Sequence, residues 1–87
     1  MNRFYLDEAL GKGVQGVVFS AYDTLIKKKV AIKKLWSNKK EDLVQHKREI
    51  RALKALNNSN LTHGFPNIYD YHVGKKNYIV IDLLGKR

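Results

Sequence analysis

Gly11-Lys12-Gly13-Val14-Gln15-Gly16-Val17-Val18-Phe19-Ser20-Ala21-Tyr22 is the stretch on which the reading of this chain turns. Three glycines at this spacing fit two different backbones. In one, a helix starts after the last glycine and points its N-terminal amides at a pyrophosphate. In the other, the glycines form a flap between two antiparallel strands. Val17-Val18-Phe19 favours the second, because β-branched and aromatic residues start a helix poorly and build a strand well. The spacing therefore predicts a first strand over Tyr5 to Leu10, a glycine flap, and a second strand over Val17 to Tyr22. Such a flap can lie over phosphates and offer them backbone N–H groups, since glycine has no side chain to hold the ligand away.

Beyond the flap, Asp23 to Lys28 reads as a turn and Val30-Ala31-Ile32-Lys33-Lys34-Leu35 as a third strand. From about Lys40 to Leu56 the period changes. Leu43, Ile50, Leu53 and Leu56 fall on one face of an α-helix, and Asn57-Asn58-Ser59-Asn60 ends it. A fourth strand is expected around Ile68 to His72, a hairpin turn at Gly74 to Asn77, and a fifth strand over Tyr78 to Leu84. Three strands, one helix and two strands predict an α+β fold, a five-stranded antiparallel sheet with a single helix packed on it. One domain spans residues 1–87, with no linker or repeat.

Two side chains carry the chemistry of this reading. On the third strand Ala31 and Lys33 share one face, and Val30 and Ile32 share the other. A small residue beside a lysine suits a flat ring resting on Ala31 with its phosphates reaching Lys33. Glu49 lies on the helix in line with Leu53 and Leu56, and its neighbours at three and four positions are His46, Gln45, Ala52 and Leu53. None of these is a lysine or arginine, so an inward carboxylate must find its cation elsewhere, and Lys33 is the candidate. The remaining lysines read as a solvated basic surface.

Composition excludes several other chemistries. The 87 residues contain no cysteine, which removes disulfides, thiolate metal sites and cysteine nucleophiles. His46, His63 and His72 lack metal-ligand spacing and are expected at the surface or in the core. No apolar run approaches the ~20 residues of a membrane span and the N-terminus has no signal-peptide pattern, so an intracellular location, cytoplasm or nucleus, is expected with no membrane partner. The N-x-S/T triplets at Asn57 and Asn60 then carry no weight. A net charge of +9, from 17 Lys and Arg against 8 acids, keeps a basic nucleic-acid-binding module as an alternative, though not the favoured one.

Taken together, the order of these segments resembles the N-terminal lobe (N-lobe) of the protein kinase superfamily. The glycine-rich loop from Gly11 to Val18 has the G-x-G-x-x-G-x-V form, Val30 to Lys33 reads V-A-I-K, and Glu49 stands where that family's αC helix carries its glutamate. Phe65-Pro66-Asn67-Ile68 is similar to the H-P-N-I segment before the fourth strand, with Phe65 in place of the usual histidine. Ile81-Asp82-Leu83-Leu84-Gly85 resembles the hinge of the casein kinase 1 group of Ser/Thr kinases. The resemblance implies that ATP is the cofactor, held by Gly11, Lys12, Gly13, Gly16, Val18, Ala31, Lys33, Ile81, Asp82 and Leu84. Ile81 would be the gatekeeper behind the adenine, Asp82 and Leu84 would offer backbone hydrogen bonds to it, and Val18 and Ala31 would sandwich it. Lys33 and Glu49 would form the phosphate-positioning pair, with Leu53 and Tyr71 in a regulatory hydrophobic stack.

In that family Mg²⁺ and the substrate hydroxyl are held by D-F-G, asparagine and H-R-D residues of the C-terminal lobe (C-lobe). Neither D-F-G nor H-R-D occurs in this sequence. The expectation is therefore a truncated kinase-like protein that does not hold Mg²⁺ and is inactive alone, acting as a decoy or regulator that binds another kinase. The alternative is the N-terminal half of an active Ser/Thr kinase completed by another chain. A face of Val18, Ala31, Leu53 and Tyr71, left open to water, would favour a C-lobe partner or self-association.

Overall fold

The computed structural model describes residues 3–13, 15–36, 39–57 and 67–83. Along the chain run β1 (Phe4–Lys12), β2 (Gly16–Asp23), β3 (Lys28–Leu35), α1 (Lys40–Asn57), β4 (Ile68–His72) and β5 (Tyr78–Asp82). The sheet has five strands in the order β1-β2-β3-β5-β4, every neighbouring pair antiparallel. The α+β arrangement read from the sequence is the one observed. Most elements start or end within two residues of their expected bounds. β1 begins one residue earlier than expected, at Phe4, and runs through Gly11 into Lys12; Leu83 follows β5 as coil, and residue 84 lies outside the described set.

Turn chemistry explains the connections. Asp23 closes the β2–β3 turn with both its carbonyl, which accepts from Lys27 N at 2.7 Å, and its carboxylate, which accepts from Leu25 N at 2.9 Å. The β4–β5 hairpin uses Gly74 at φ 148°, a backbone angle that favours glycine, and the Asn77 side chain accepts from Gly74 N at 2.9 Å. α1 starts with Glu41 and Asp42 in its first turn and carries Lys54 in its last, both favourable to the helix dipole. Asn57 ends it by donating from its amide to Leu53 O at 2.8 Å and accepting from Ile68 N at 3.0 Å. The same side chain thus stops the helix and seats β4.

Residues paired across antiparallel strands stand on the same face of the sheet. One face carries the core of Ala21, Val30, Ile32 and Val80, ringed by Phe4, Ile26, Tyr69 and Tyr78. The helix lies on the opposite face, so the main apolar core is not beneath it. The sheet covers that core by curling. Arg3, just before β1, donates to both carboxylate oxygens of Asp23, at 2.9 and 2.8 Å, and at 2.9 Å to Asp70 on β4, the far edge of the sheet. Asp23 is fully buried, and the Arg3 fork holds its carboxyl below the usual carboxylate range.

α1 grips the sheet lightly. Only His46 and Ile50 on it are buried, while Leu43, Leu53 and Leu56 are half-buried. His46 Nε2 lies 2.9 Å from the His72 carbonyl, and Lys54 Nζ donates to Tyr71 Oη at 3.0 Å with its charge 4.9 Å from the ring centre. Polar ties therefore join helix and sheet as much as apolar packing does. No helix among the described residues is long and apolar enough to cross a membrane.

Candidate functional site

Strand register gathers the sequence-predicted residues into two rows on the helix-facing side. Gly11 pairs with Val18, Val18 with Lys33, Lys33 with Ile79, and Ile79 with Tyr71. One step along the strands, Ser20 pairs with Ala31, Ala31 with Ile81, and Ile81 with Ile68. The glycine flap, Val18, Lys33 and Tyr71 thus lie on one line across the sheet, and Ala31 and Ile81 on the next. From the centre of the first line Lys33 Nζ reaches Glu49 Oε1 at 2.9 Å. Both side chains remain more than a third exposed, 37% and 41%, so the pair is worth a fraction of a kcal/mol to about 1 kcal/mol of stability. Its value is positional: a cation held on the open face of the sheet.

The flap closes on itself through Gly13 N donating to Gly16 O at 2.8 Å. Beneath it is an open cavity of about 570 Å³ lined by Gly11, Lys12, Gly13, Gly16, Val18 and Lys33. Its glycines do different work. A Cβ on Gly11 or Gly13 would meet nothing within 4 Å, whereas one on Gly16 would sit 2.0 Å from the Lys34 carbonyl oxygen. Gly16 is required by the close approach of β3, whereas Gly11 and Gly13 stand clear of other atoms. Trp36, which follows β3, ties the flap down: its backbone N donates to Gln15 O at 2.8 Å and its indole Nε1 to Gly13 O at 2.9 Å. A second cavity of about 400 Å³ lies between flap, β3 and α1, lined by Gln15, Lys33, Asp42, His46, Arg48 and Glu49. Lys33 and Gln15 line both.

On β5, Ile81 pairs with Ala31 across the strands. Ala31 is buried at 6% exposure, so the open patch expected from Val18, Ala31, Leu53 and Tyr71 is smaller than the resemblance implied. Val18 and Leu53 are half-buried, and Tyr71 is exposed, with Lys54 over its ring. The Asp82 carboxylate points into a network of its own. Asn67 N donates to it at 2.7 Å, Asn67 Nδ2 at 3.0 Å, Lys28 Nζ at 3.4 Å, and Tyr69 Oη also donates. Burial pushes its carboxyl up, but the Tyr69, Asn67 and Lys28 donors outweigh this and hold it below the usual range. The main-chain N of Asp82 donates to Asn67 O at 3.1 Å. Leu84, Gly85, Phe65 and Pro66 lie outside the described residues.

No family model matches the chain. Individual relatives do. The chain is 36% identical over 88 positions to a probable serine/threonine-protein kinase of Clostridium acetobutylicum, with 97% of its length aligned. The chain is protein-kinase-like. It is also 45% identical over 62 positions to mitogen-activated protein kinase 20 of Arabidopsis thaliana, and 44% identical over 62 to cyclin-dependent kinase D-1 of Oryza sativa subsp. japonica. The matched region makes up 13%, 9% and 15% of these three proteins, so the chain spans a small part of each.

With five antiparallel strands and one helix between β3 and β4, the fold is that of a kinase-like N-lobe. Within it, Gly11, Lys12, Gly13, Gly16, Val18 and Lys33 line one cavity, Glu49 meets Lys33, and Ala31 pairs with Ile81. Sequence reasoning missed Trp36, Arg3 and the Asp82 side chain. A lone exposed tryptophan has no periodic signature, and the partners of Arg3 stand 20 and 67 residues away. Asn67 and Asp82 gave one legible hint, an amide just before a strand and an acid ending one, in segments expected to pair.

Proposed function

We propose that this chain is the nucleotide-cradling N-lobe of a Ser/Thr protein kinase domain, with ATP as its cofactor. The observation that carries this reading is the 2.9 Å Lys33–Glu49 contact beside the cavity under the glycine flap. The residues fit a nucleoside triphosphate: a cation at the cavity wall, two glycines whose Cβ positions are open, and Val17 and Val18 as apolar lining. ATP, when bound, supplies the transferable phosphoryl group. Lys33 offers a fixed positive charge to its phosphates, and Glu49 keeps that ammonium group aimed into the cleft. Gly11 and Gly13 let the flap backbone approach. Asp82 and Leu84 supply backbone groups for the base, and the Tyr69, Asn67 and Lys28 network anchors the Asp82 end of that hinge.

Phosphoryl transfer rests on positioning and charge neutralisation. This sequence contributes the phosphate-positioning half of that machinery, and the resemblance assigns Mg²⁺ and the substrate hydroxyl to D-F-G and H-R-D residues that it does not contain. What would complete the cleft is a kinase C-lobe, met through the Val18, Leu53 and Tyr71 face. A second reading, a regulator that occupies the C-lobe of another kinase without turnover, uses the same face and draws support from the exposed Tyr71 ring. Placement near the casein kinase 1 group rests on the Ile81-Asp82-Leu83-Leu84-Gly85 hinge alone.

Titration with a fluorescent ATP analogue tests the cleft. Lys33→Met is expected to remove residual binding while the circular dichroism spectrum is unchanged, and equal affinity in both forms would refute the assignment. Adding a separately produced kinase C-lobe then separates the two readings. Gain of phosphotransfer supports a catalytic N-lobe, and complex formation without turnover supports the regulator.

A further inference from the structure

The face of the sheet turned away from Lys33 has an opening of its own. The curl that brings Arg3 to Asp70 leaves a cavity of about 450 Å³ between β1 and the β4–β5 turn, with Phe4, Leu6, Ile32 and Tyr78 as apolar wall and Lys34 and Lys76 at its rim. Three observations bear on what fits there. Leu6 is 53% exposed although it stands over a cavity whose floor, Ile32, belongs to the core. Neither Lys34 nor Lys76 has a carboxylate partner among the described residues, in contrast to Lys28, Lys33 and Arg3. The wall segment Phe4 to Leu6 belongs to β1, which pairs with β2 on one side and, among the described residues, with no strand on the other.

An apolar pocket calls for an apolar side chain, two unpaired ammonium groups call for carboxylates flanking it, and a strand with a free edge can hydrogen-bond an extended backbone. We infer that this opening docks an acidic peptide segment that presents one aromatic or large aliphatic side chain between acidic residues. The aromatic or aliphatic anchor fills the space over Ile32 beside Phe4 and Tyr78. Its acidic neighbours pair with Lys34 and Lys76. The surface lies on the opposite face of the sheet from the Lys33–Glu49 pair.

Fluorescence anisotropy of the whole chain with a labelled peptide, one phenylalanine flanked by glutamates, tests this at physiological salt. Leu6→Asp and the double change Lys34→Glu, Lys76→Glu are each expected to weaken binding by roughly tenfold or more, one by loss of apolar burial and the other by charge reversal. Replacing the peptide phenylalanine by alanine is expected to do the same. The control pair Lys47→Glu, Arg51→Glu changes the charge equally on exposed helix positions and should leave affinity within about twofold of the parent, since rim charges far from a contact act weakly. Equal weakening in the control, indifference to the phenylalanine, or absence of saturable binding would each overturn the proposal. Leu6, Lys34 and Lys76 are exposed, so an unchanged thermal melt distinguishes lost docking from lost folding.

Discussion

Gly16 and Asp23 show how much can depend on one residue. A methyl group on Gly16 would meet the Lys34 carbonyl at 2.0 Å, and that oxygen is backbone, which cannot swing aside. Gly16→Ala is therefore expected to cost about 1–3 kcal/mol in urea unfolding, as overpacked sites do, while Gly11→Ala and Gly13→Ala leave stability nearly unchanged. If the cleft binds nucleotide, those last two act on affinity instead. Asp23 is the converse case, a fully buried carboxylate whose charge is tolerated because Arg3 grips both its oxygens. Arg3→Met would strand that charge. A loss of roughly 3–5 kcal/mol is expected, enough to unfold much of a domain this small, with Asp23→Asn partly restoring the fold in the double variant. The double-variant melt is the deciding measurement.

At the scale of elements, the clearest expectation concerns the flap. Trp36→Phe keeps the ring and removes the donor to Gly13 O, so amide exchange at Gly13 and Gln15 should quicken while the exchange of β3 and β5 amides stays as it was. A flap that exchanges no faster would show that the indole bond does not restrain it. The elements themselves were largely legible beforehand. Val17-Val18-Phe19 and Val30-Ala31-Ile32 are strong strand formers, and Leu43, Ile50, Leu53 and Leu56 keep a helical period, so local pattern and tertiary outcome agree. The Lys33–Glu49 contact was legible for a related reason, since Glu49 has no cation within its own helix. What was not legible is the curl. It depends on Arg3 meeting residues 20 and 67 positions away, and no periodicity carries pairings of that range. The core consequently sits on the face away from α1, where a helix-on-sheet reading would not put it.

For the molecule as a whole, pH offers a test of its electrostatics. Asp23 and Asp82 both ionise more readily in the folded chain than the ordinary carboxylate value of 3.8. The stabilisation they add is complete above the unfolded carboxylate range and lost as pH falls through the lower folded values. Urea midpoints should hold steady from about pH 7 to pH 5 and fall steeply below about pH 4, with a shallower fall in Asp23→Asn. A midpoint that drops equally in both proteins would mean that other carboxylates govern acid unfolding. The strand order has a different consequence, for a chain made from its first residue onward. β1, β2 and β3 can zip together as soon as they are synthesised, yet the inner edge of Val30-Ala31-Ile32 stays bare until Tyr78–Asp82 arrives to lie beside it. A nascent chain halted before β5 would expose a β-branched ribbon with no partner of its own, the kind of edge that chaperones cover and that stalled translation products use to aggregate.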